Sequence, residues 1–207
     1  MGTITRGQNG MVYPYFYGYK TDGVFQNWDE VKSYVGADGS LIQPSAQPGD
    51  FRYKDLDGDG KITAEGDRTN LGKCVPAWTY GVNASIDWKG IDFSMVWQGV
   101  AGNKIFDGTR RTDIPTMNQP KYVLNRWTGE GSTNAYPRFT TTDPNQNWSK
   151  ASDFFIKDAS YLRLKNVTLG YTLPAKWTNK VFVKKLRVYA SCENAFTFTK
   201  YDGFDPE

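Results

Sequence analysis

AWTYGVNASIDWKGIDFSMVWQG, residues 77–99, alternates apolar and polar side chains with a period of two. Even positions from 78 to 88 carry the apolar side chains, and after the dipeptide at 89 and 90 the apolar side chains occupy odd positions. A two-residue turn at 89 and 90 would pair Trp88 with Ile91 and place both apolar series on one face of an antiparallel hairpin. The stretch therefore predicts two strands of about the length that a tilted membrane strand requires.

Aromatic residues end the apolar face of this predicted hairpin, and aliphatic residues lie between them. Such girdles, opposite a face of Ser, Asn, Asp and Gln, are typical of a strand with lipid outside and water inside. The alternative is a hairpin of a soluble β-sandwich that buries one face in a protein core. We predict a lipid-facing belt of Trp78, Tyr80, Ile86, Trp88, Phe93, Met95 and Trp97.

Two later segments, residues 161–174 and 184–199, show the same alternation. The first changes phase near Asn166, which indicates a β-bulge or a change of face. The connection from about 103 to 153 has no such pattern, and so long a structureless stretch argues against a compact soluble domain. Outer-membrane barrels combine short periplasmic turns with long external loops. We therefore expect residues 20–76 and 103–153 to be external.

The composition excludes several classes of protein. Aromatic residues make up 15% of the 207 residues, 21 are Gly, and the mean hydropathy is -0.61, which suits many strands and turns. No run approaches the roughly 20 apolar residues of a membrane helix, which excludes a helical membrane protein but not a membrane β-barrel. The absence of histidine removes the Ser-His-Asp triad and the usual zinc ligands. The net charge of +3, without any block of like charges, gives nucleic-acid binding little support. We predict that the protein is not an enzyme.

DLDGDGKITAEGD, residues 55–67, resembles the first half of an EF-hand loop. Aspartates occupy positions one, three and five, a glycine at position six permits the sharp turn, and a backbone carbonyl falls at position seven. Position twelve is Gly66 where a bidentate Glu would belong, so that either Asp67 or Glu65 would have to close the shell. The alternative is that Asp and Gly simply form turns. We predict a structural calcium (Ca²⁺) site of Asp55, Asp57, Asp59, Lys61 and Asp67.

Trp28, Trp127 and Trp148 lie in the segments that we expect to be external loops. Tryptophan rings can stack on sugars or contact a partner protein, whereas the alternative is local packing of the loops.

Several stretches together resemble the SusC/RagA-type TonB-dependent outer-membrane transporters of Bacteroidota. Besides the hairpin, they are YFYGYKTDGVFQNWDEV, QPGDFRYKDLDGDGKIT, NRWTGEGSTNAYPR, SYLRLKNVTLGYTLP and KLRVYASCENAFTFTKYDGFDPE. They follow the order of the family over nearly the whole chain.

The resemblance implies an all-β fold, an antiparallel transmembrane β-barrel segment with about five or six strands of a parent barrel of about 22, and long extracellular loops. It implies that residues 1–207 are the C-terminal part of the barrel, without the plug domain and the final strand. The implied location is the outer membrane of a Gram-negative bacterium, surrounded by lipid.

The implied function is the import of an oligosaccharide or a peptide, together with a SusD-like surface lipoprotein. The TonB complex would be contacted through an N-terminal part that this sequence lacks. The alternative function is a soluble calcium-dependent carbohydrate-binding β-domain, which would bury the predicted belt in a protein core.

Overall fold

The computed structural model describes residues 4–109 and 118–207. The strands are, in chain order, β1 (Thr5–Arg6), β2 (Tyr15–Tyr19), β3 (Thr21–Val24), β4 (Phe51–Tyr53), β5 (Arg68–Lys73), β6 (Trp78–Trp88), β7 (Ile91–Ala101), β8 (Lys104–Phe106), β9 (Ile156–Asp158), β10 (Tyr161–Thr172) and β11 (Arg187–Thr199). The helices are α1 (Trp28–Ser33) and α2 (Ala175–Thr178), with 3₁₀ turns at Lys121–Asn125, Asp153–Phe155 and Asn179–Val181. In the part of the chain that is described, no helix has the length and apolar character needed to cross a membrane.

The chain divides into two compact units. Residues 75–104 and 158–207 form the sheet unit, and residues 1–74 and 105–157 form the loop unit.

The sheet unit is built on one antiparallel sheet with the strand order β11-β10-β7-β6. Trp88 pairs with Ile91 across a two-residue turn, which confirms the predicted hairpin register. Lys89 and Gly90 both have positive φ angles, 49° and 88°. Positive φ at both central residues is the turn geometry that matches the twist of the flanking strands, and glycine adopts it without strain.

The phase change near Asn166 is a β-bulge. The register of β10 shifts between Leu164 and Asn166 against both of its neighbours, β7 and β11. The pairs Leu164–Trp97 and Val167–Met95 lie on either side of the shift, so that the apolar residues of β10 remain on the face of the hairpin belt.

Every long connection joins the same end of this sheet. Trp78 pairs with Ala101, and Tyr161 pairs with both Val100 and Thr199. The turn at 89 and 90 and the connection from 173 to 186 lie at the opposite end. Short and long connections therefore begin at opposite ends of the strands, as predicted.

Four strands of the described residues, β6, β7, β10 and β11, have 11 to 13 residues and reach spanning length. We expected about five or six. The difference arises before residue 75, where β1, β2 and β5 form a separate sheet of strands of two to six residues.

The loop unit has an aromatic core, so the expectation of a structureless connection is wrong for its described part. Val123, Trp148 and Phe155 form one buried cluster, and Val24, Phe51 and Tyr53 form another. The Phe154 ring contacts members of both clusters, with centroids 5.1 Å from Phe51 and 5.8 Å from Trp148. The loop unit therefore has a hydrophobic core although much of its backbone is irregular and its strands are short.

Side-chain amides, and not a second neighbouring strand, bond the backbone N–H groups of Phe51 and Tyr53 in β4. The Phe51 backbone N–H donates to Asn147 Oδ1 at 2.8 Å, and the Tyr53 N–H donates to Gln43 Oε1 at 2.7 Å. Asn147 also donates through Nδ2 to Asp50 Oδ1 at 2.9 Å, where the Arg138 guanidinium makes an ion pair. Because Asp50 and Asn147 are fully buried, each of these polar groups depends on its protein partners.

Replacing Asn147 with Ala should destabilise the loop unit by about 2–4 kcal/mol, because the buried Phe51 N–H and Asp50 carboxylate would each lose a partner. The measurement is the urea midpoint of loop protection against protease in the full-length protein. Asn9→Ala, at an exposed turn position, should leave that midpoint unchanged. Equal midpoints for Asn147→Ala and Asn9→Ala would contradict the role given to the amide.

Candidate functional site

The apolar face of the sheet has no second layer of polypeptide over it among the described residues. Along β6 the exposed fraction is 74% for Trp78, 65% for Ile86 and 62% for Trp88, and Tyr80 is also exposed. The alternative, burial of this stripe in a soluble core, does not occur among the described residues. A contiguous apolar face of this size requires a partner or a lipid environment.

Phe93, Met95 and Trp97 lie on the same face but are half-buried. Their strand, β7, is flanked on both sides, so side chains of the neighbouring strands cover part of each residue. The Trp97 ring stacks at 6.2 Å on Phe198, and its Nε1–H contacts Met95 Sδ at 3.3 Å. The belt is therefore one packed apolar layer across four strands.

The opposite face carries ion pairs. Arg187 on β11 bonds Asp92 on β7 through two nitrogens, with Nε 2.9 Å from Oδ1, although β10 lies between the two strands. Gly170 of β10 is the residue beneath this pair, and a Cβ there would lie 2.5 Å from the Asp92 oxygens. The glycine therefore leaves the space for a salt bridge that spans three strands.

Near the loop end of the same face, Arg163 is buried among acceptors. Its Nε donates to Thr197 Oγ1 at 3.0 Å, and its terminal nitrogens contact Asp205 and Glu207. Lys165 Nζ also contacts Glu207, at 2.6 Å. One face of the sheet is thus apolar, and the other carries charged and hydrogen-bonded side chains.

The aspartate loop gathers four carboxylates. One oxygen each from Asp55, Asp57, Asp59 and Asp67 lies within 4.8 Å of the others. Oxygens on opposite sides of one calcium ion are about 4.6–5.2 Å apart, so the spacing suits such an ion. The cluster includes Asp67 and not Glu65. Of the two residues that could complete the predicted ligand set, Asp67 is therefore the one that lies near the other three aspartates.

Asp67 is fully buried and organises this loop. Its Oδ1 accepts a hydrogen bond from the Leu56 N–H at 2.7 Å, and its Oδ2 accepts one from the Thr63 N–H at 2.6 Å. Asp55 accepts two more, from the Gly58 and Gly60 N–H groups. A Cβ at residue 66 would clash with Asp57 Oδ2, so a larger residue there would displace this carboxylate.

The electrostatics of the loop favour a cation. The backbone hydrogen bond from Asp59 lowers the pKa of the Asp57 carboxyl, but partial desolvation and the neighbouring carboxylates outweigh it, so the pKa is raised. Mutual repulsion of this kind is what a bound cation relieves. Lys61 follows Gly60, and its N–H donates to Asp59 Oδ1 at 2.9 Å.

The three candidate tryptophans differ in their surroundings. Trp148 is 2% exposed, and its Nε1–H donates to the Arg138 carbonyl at 3.1 Å, so its burial excludes ligand contact and local packing is correct. Trp127 packs against the Val24 cluster and donates to Gln26 Oε1 at 3.2 Å. Trp28, at the start of α1, is 52% exposed.

No family model matches the chain. The chain is 31% identical over 195 residues to TonB-dependent receptor P3 of Formosa agariphila, which covers 93% of this chain and 18% of that protein. It is 27% identical to TonB-dependent receptor SusC of Bacteroides thetaiotaomicron, which covers 99% of this chain and 19% of that protein. A solved structure of the RagAB peptide transporter shares its fold, with a TM-score of 0.68 and 23% identity over 99% of this chain and 21% of that chain.

The chain belongs with the SusC/RagA-type TonB-dependent receptors. It spans about a fifth of the length of the curated relatives that it matches. Its all-β antiparallel sheet is a barrel segment with long extracellular loops. Its similarity to the curated TonB-dependent receptors places it in the outer membrane. The similar proteins are receptors and transporters, which supports the prediction that the chain is not an enzyme.

Two features of this receptor segment were missed from sequence. The salt bridge between Asp92 and Arg187 joins residues 95 apart, but a glycine inside a strand pattern, here Gly170, is a signal of close approach. The buried amides around β4 had no signal, because Asn and Gln in loops are usually exposed.

Arginine on the apolar face of β6 should destabilise the receptor far more than arginine on the polar face. Val82 lies near the middle of β6 and is 57% exposed, and Asn83 is its neighbour on the opposite face. In full-length receptor folded into vesicles, Val82→Arg should lower the free energy of unfolding by about 2–4 kcal/mol. Asn83→Arg should change it much less. Equal effects in a denaturant titration would contradict lipid contact.

Proposed function

We propose that the chain is the part of a TonB-dependent importer that carries nutrients across the outer membrane. The observation that carries this proposal is the exposed apolar face on strands of spanning length, opposite a face of ion pairs. A soluble carbohydrate-binding domain, the alternative, would have to cover the belt with a second layer.

The strand edges support the same proposal. Among the described residues, β6 has only β7 as a neighbour, and β11 has only β10. An unpaired edge in hydrocarbon costs several kcal/mol for each backbone group. Further strands of a longer chain would pair these edges and close the barrel, so that the charged face lines a water-filled lumen.

We propose an oligosaccharide or a peptide as the imported nutrient, with a SusD-like surface lipoprotein as the partner. The similar RagAB structure is that of a peptide transporter, which supports the peptide class. Contact with the TonB complex would come through an N-terminal part of the parent receptor. In the loop unit, Trp28 and the partly covered Trp127 are the candidates for contact with substrate or partner.

The experiment for this proposal combines location with uptake. The full-length receptor should be found in the outer-membrane fraction and should partition into detergent. Deletion of its gene should abolish uptake of either labelled oligopeptides or labelled oligosaccharides by whole cells. Uptake of both classes at the wild-type rate would contradict import, and recovery in the soluble fraction would favour the alternative domain.

We also propose that the aspartate loop binds a structural calcium ion. Asp55, Asp57, Asp59 and Asp67 would provide carboxylate oxygens, and Lys61 would provide its backbone carbonyl. The oxygen spacing, the buried Asp67 and the raised pKa of Asp57 support this proposal. Such an ion would brace the loop by removing repulsion among its carboxylates.

Calcium should raise the Tm of the full-length receptor, and Asp57→Asn should remove most of that rise. Asp29→Asn, which removes the same charge from the first turn of α1, should keep it. Because the folded pKa of Asp57 lies above its unfolded value, the stability that this group contributes without metal is present at low pH and is lost as pH rises through the folded pKa. The rise in Tm with calcium should therefore be larger at neutral pH than near about pH 4, where the carboxylates begin to protonate. An equal rise in both variants would contradict the site.

A further inference from the structure

A cluster of lysines lies at the end of the sheet opposite the long loops. The connection between β10 and β11 carries four of them, and Lys89 belongs to the hairpin turn, whose Gly90 carbonyl accepts a hydrogen bond from the Thr172 N–H at 2.7 Å. All are exposed, and none has an ion-pair partner among the described residues. We call this cluster the basic patch: Lys89, Lys176, Lys180, Lys184 and Lys185.

The acidic residues of the chain do not neutralise the basic patch. Residues 159–192 contain no Asp or Glu. Asp87 and Asp92 are at the same end of the sheet but on its polar face, and Asp92 is paired with Arg187. The patch therefore presents a local excess of positive charge, although the net charge of the whole chain is only +3.

Exposed aromatic rings accompany the lysines. The Phe182 side chain is 99% exposed and Trp177 is 60% exposed. Phe182 has a φ of 59°, a left-handed conformation that is unfavourable for a bulky residue. Exposure of these rings to water is unfavourable, whereas aromatic side chains are favourable at a membrane interface.

The connection is folded, so these side chains are held in place. The Phe182 N–H donates to the Asn179 carbonyl at 3.2 Å, and the Val183 N–H donates to the Thr178 carbonyl at 3.1 Å. Thr178 is 2% exposed, and the Leu173 N–H donates to the Leu186 carbonyl where the two strands meet. Lysines and rings therefore point outward from an ordered turn.

We propose that the basic patch binds the phosphate headgroups of anionic phospholipids in the periplasmic leaflet of the outer membrane. The patch is continuous with the apolar face through Trp88, whose ring lies 4.8 Å from Lys89 Nζ. Acyl chains would lie against that face while the flexible lysine stems carry the ammonium groups to the headgroups. The proposal goes beyond import, because it concerns a lipid site on the outer wall of the barrel and depends on the membrane location alone.

The test uses the full-length receptor in zwitterionic detergent, with Tm followed as dioleoylphosphatidylglycerol is added. Each lysine near an anionic surface contributes about a fivefold gain in affinity. A variant with Lys176, Lys180, Lys184 and Lys185 changed to Gln should therefore need at least about tenfold more of this lipid for the same rise in Tm. The matched control changes four exposed lysines outside the patch, Lys20, Lys32, Lys121 and Lys200, to Gln and should behave as wild type.

Three further arms make the test specific. Dioleoylphosphatidylcholine, which has no net charge, and soluble glycerophosphoglycerol should leave the wild-type Tm unchanged. Phe182→Asn, which keeps a residue suited to the left-handed conformation and removes the ring, should weaken the lipid effect without lowering the Tm in detergent alone. High salt should suppress the lipid effect in the wild type.

The same lipid dependence in the patch variant and the control would overturn the proposal. An equal rise in Tm with glycerophosphoglycerol would overturn the assignment to a lipid. Heat-modifiable migration of the receptor on a gel reports whether the barrel is folded. It therefore separates these outcomes from a failure of the importer proposal. An intact barrel without lipid preference rejects only the basic patch, whereas absence of a barrel rejects the membrane location itself.

Discussion

The proposed membrane location places the exposed apolar face of the four-stranded sheet in hydrocarbon, which offers no water to the backbone. Every N–H and C=O group of these strands must then be bonded by another strand. Within the sheet, the registers of β6, β7, β10 and β11 satisfy this requirement over 11 to 13 residues. Among the described residues, the outer edges of β6 and β11 have no neighbouring strand, so the proposed membrane location requires further strands to pair with them.

The two units use their aromatic side chains in different ways. In the sheet unit the aromatic side chains point outward, and regular backbone pairing supplies the order. In the loop unit the aromatic side chains point inward around Phe154, and irregular backbone is held by buried polar side chains such as Asn147 and Asp50. A buried polar network of this kind is stable because its members are mutually satisfied, so the loss of one member exposes several others. This coupling explains how segments far apart in sequence, such as 43–53 and 138–148, form a single folded body.

The sequence predicted the parts of the structure that depend on local periodicity. The hairpin register was predictable from two alternating runs separated by Lys89 and Gly90. Once the turn length is known, a period of two determines which residues pair across the strands. The clustering of the carboxylates of Asp55, Asp57, Asp59 and Asp67 was also predictable, because these residues are close in sequence. Local packing of Trp148 was one of the two stated alternatives, but its neighbours Phe139 and Phe154 could not be predicted, because they come from a segment without periodicity. The described residues contain four strands of spanning length, whereas the expected five or six came from the family resemblance and not from a pattern in this chain.

The bulge in β10 shows how one extra residue can keep apolar and polar side chains on separate faces of the sheet. With an uninterrupted period of two, Leu162 and Leu164 would share a face with Asn166 and Thr168, and the polar pair would meet lipid. The shift between Leu164 and Asn166 instead brings Val167 opposite Met95 and returns the apolar series to the lipid side. The same shift leaves Arg163 and Lys165 both in contact with Glu207 on the charged side. Asn194, with a φ of 51°, accommodates the shift on β11, where an asparagine adopts the left-handed conformation more readily than most residues. The irregularity is therefore what allows one strand to keep lipid contact on one face and ion pairs on the other along its whole length.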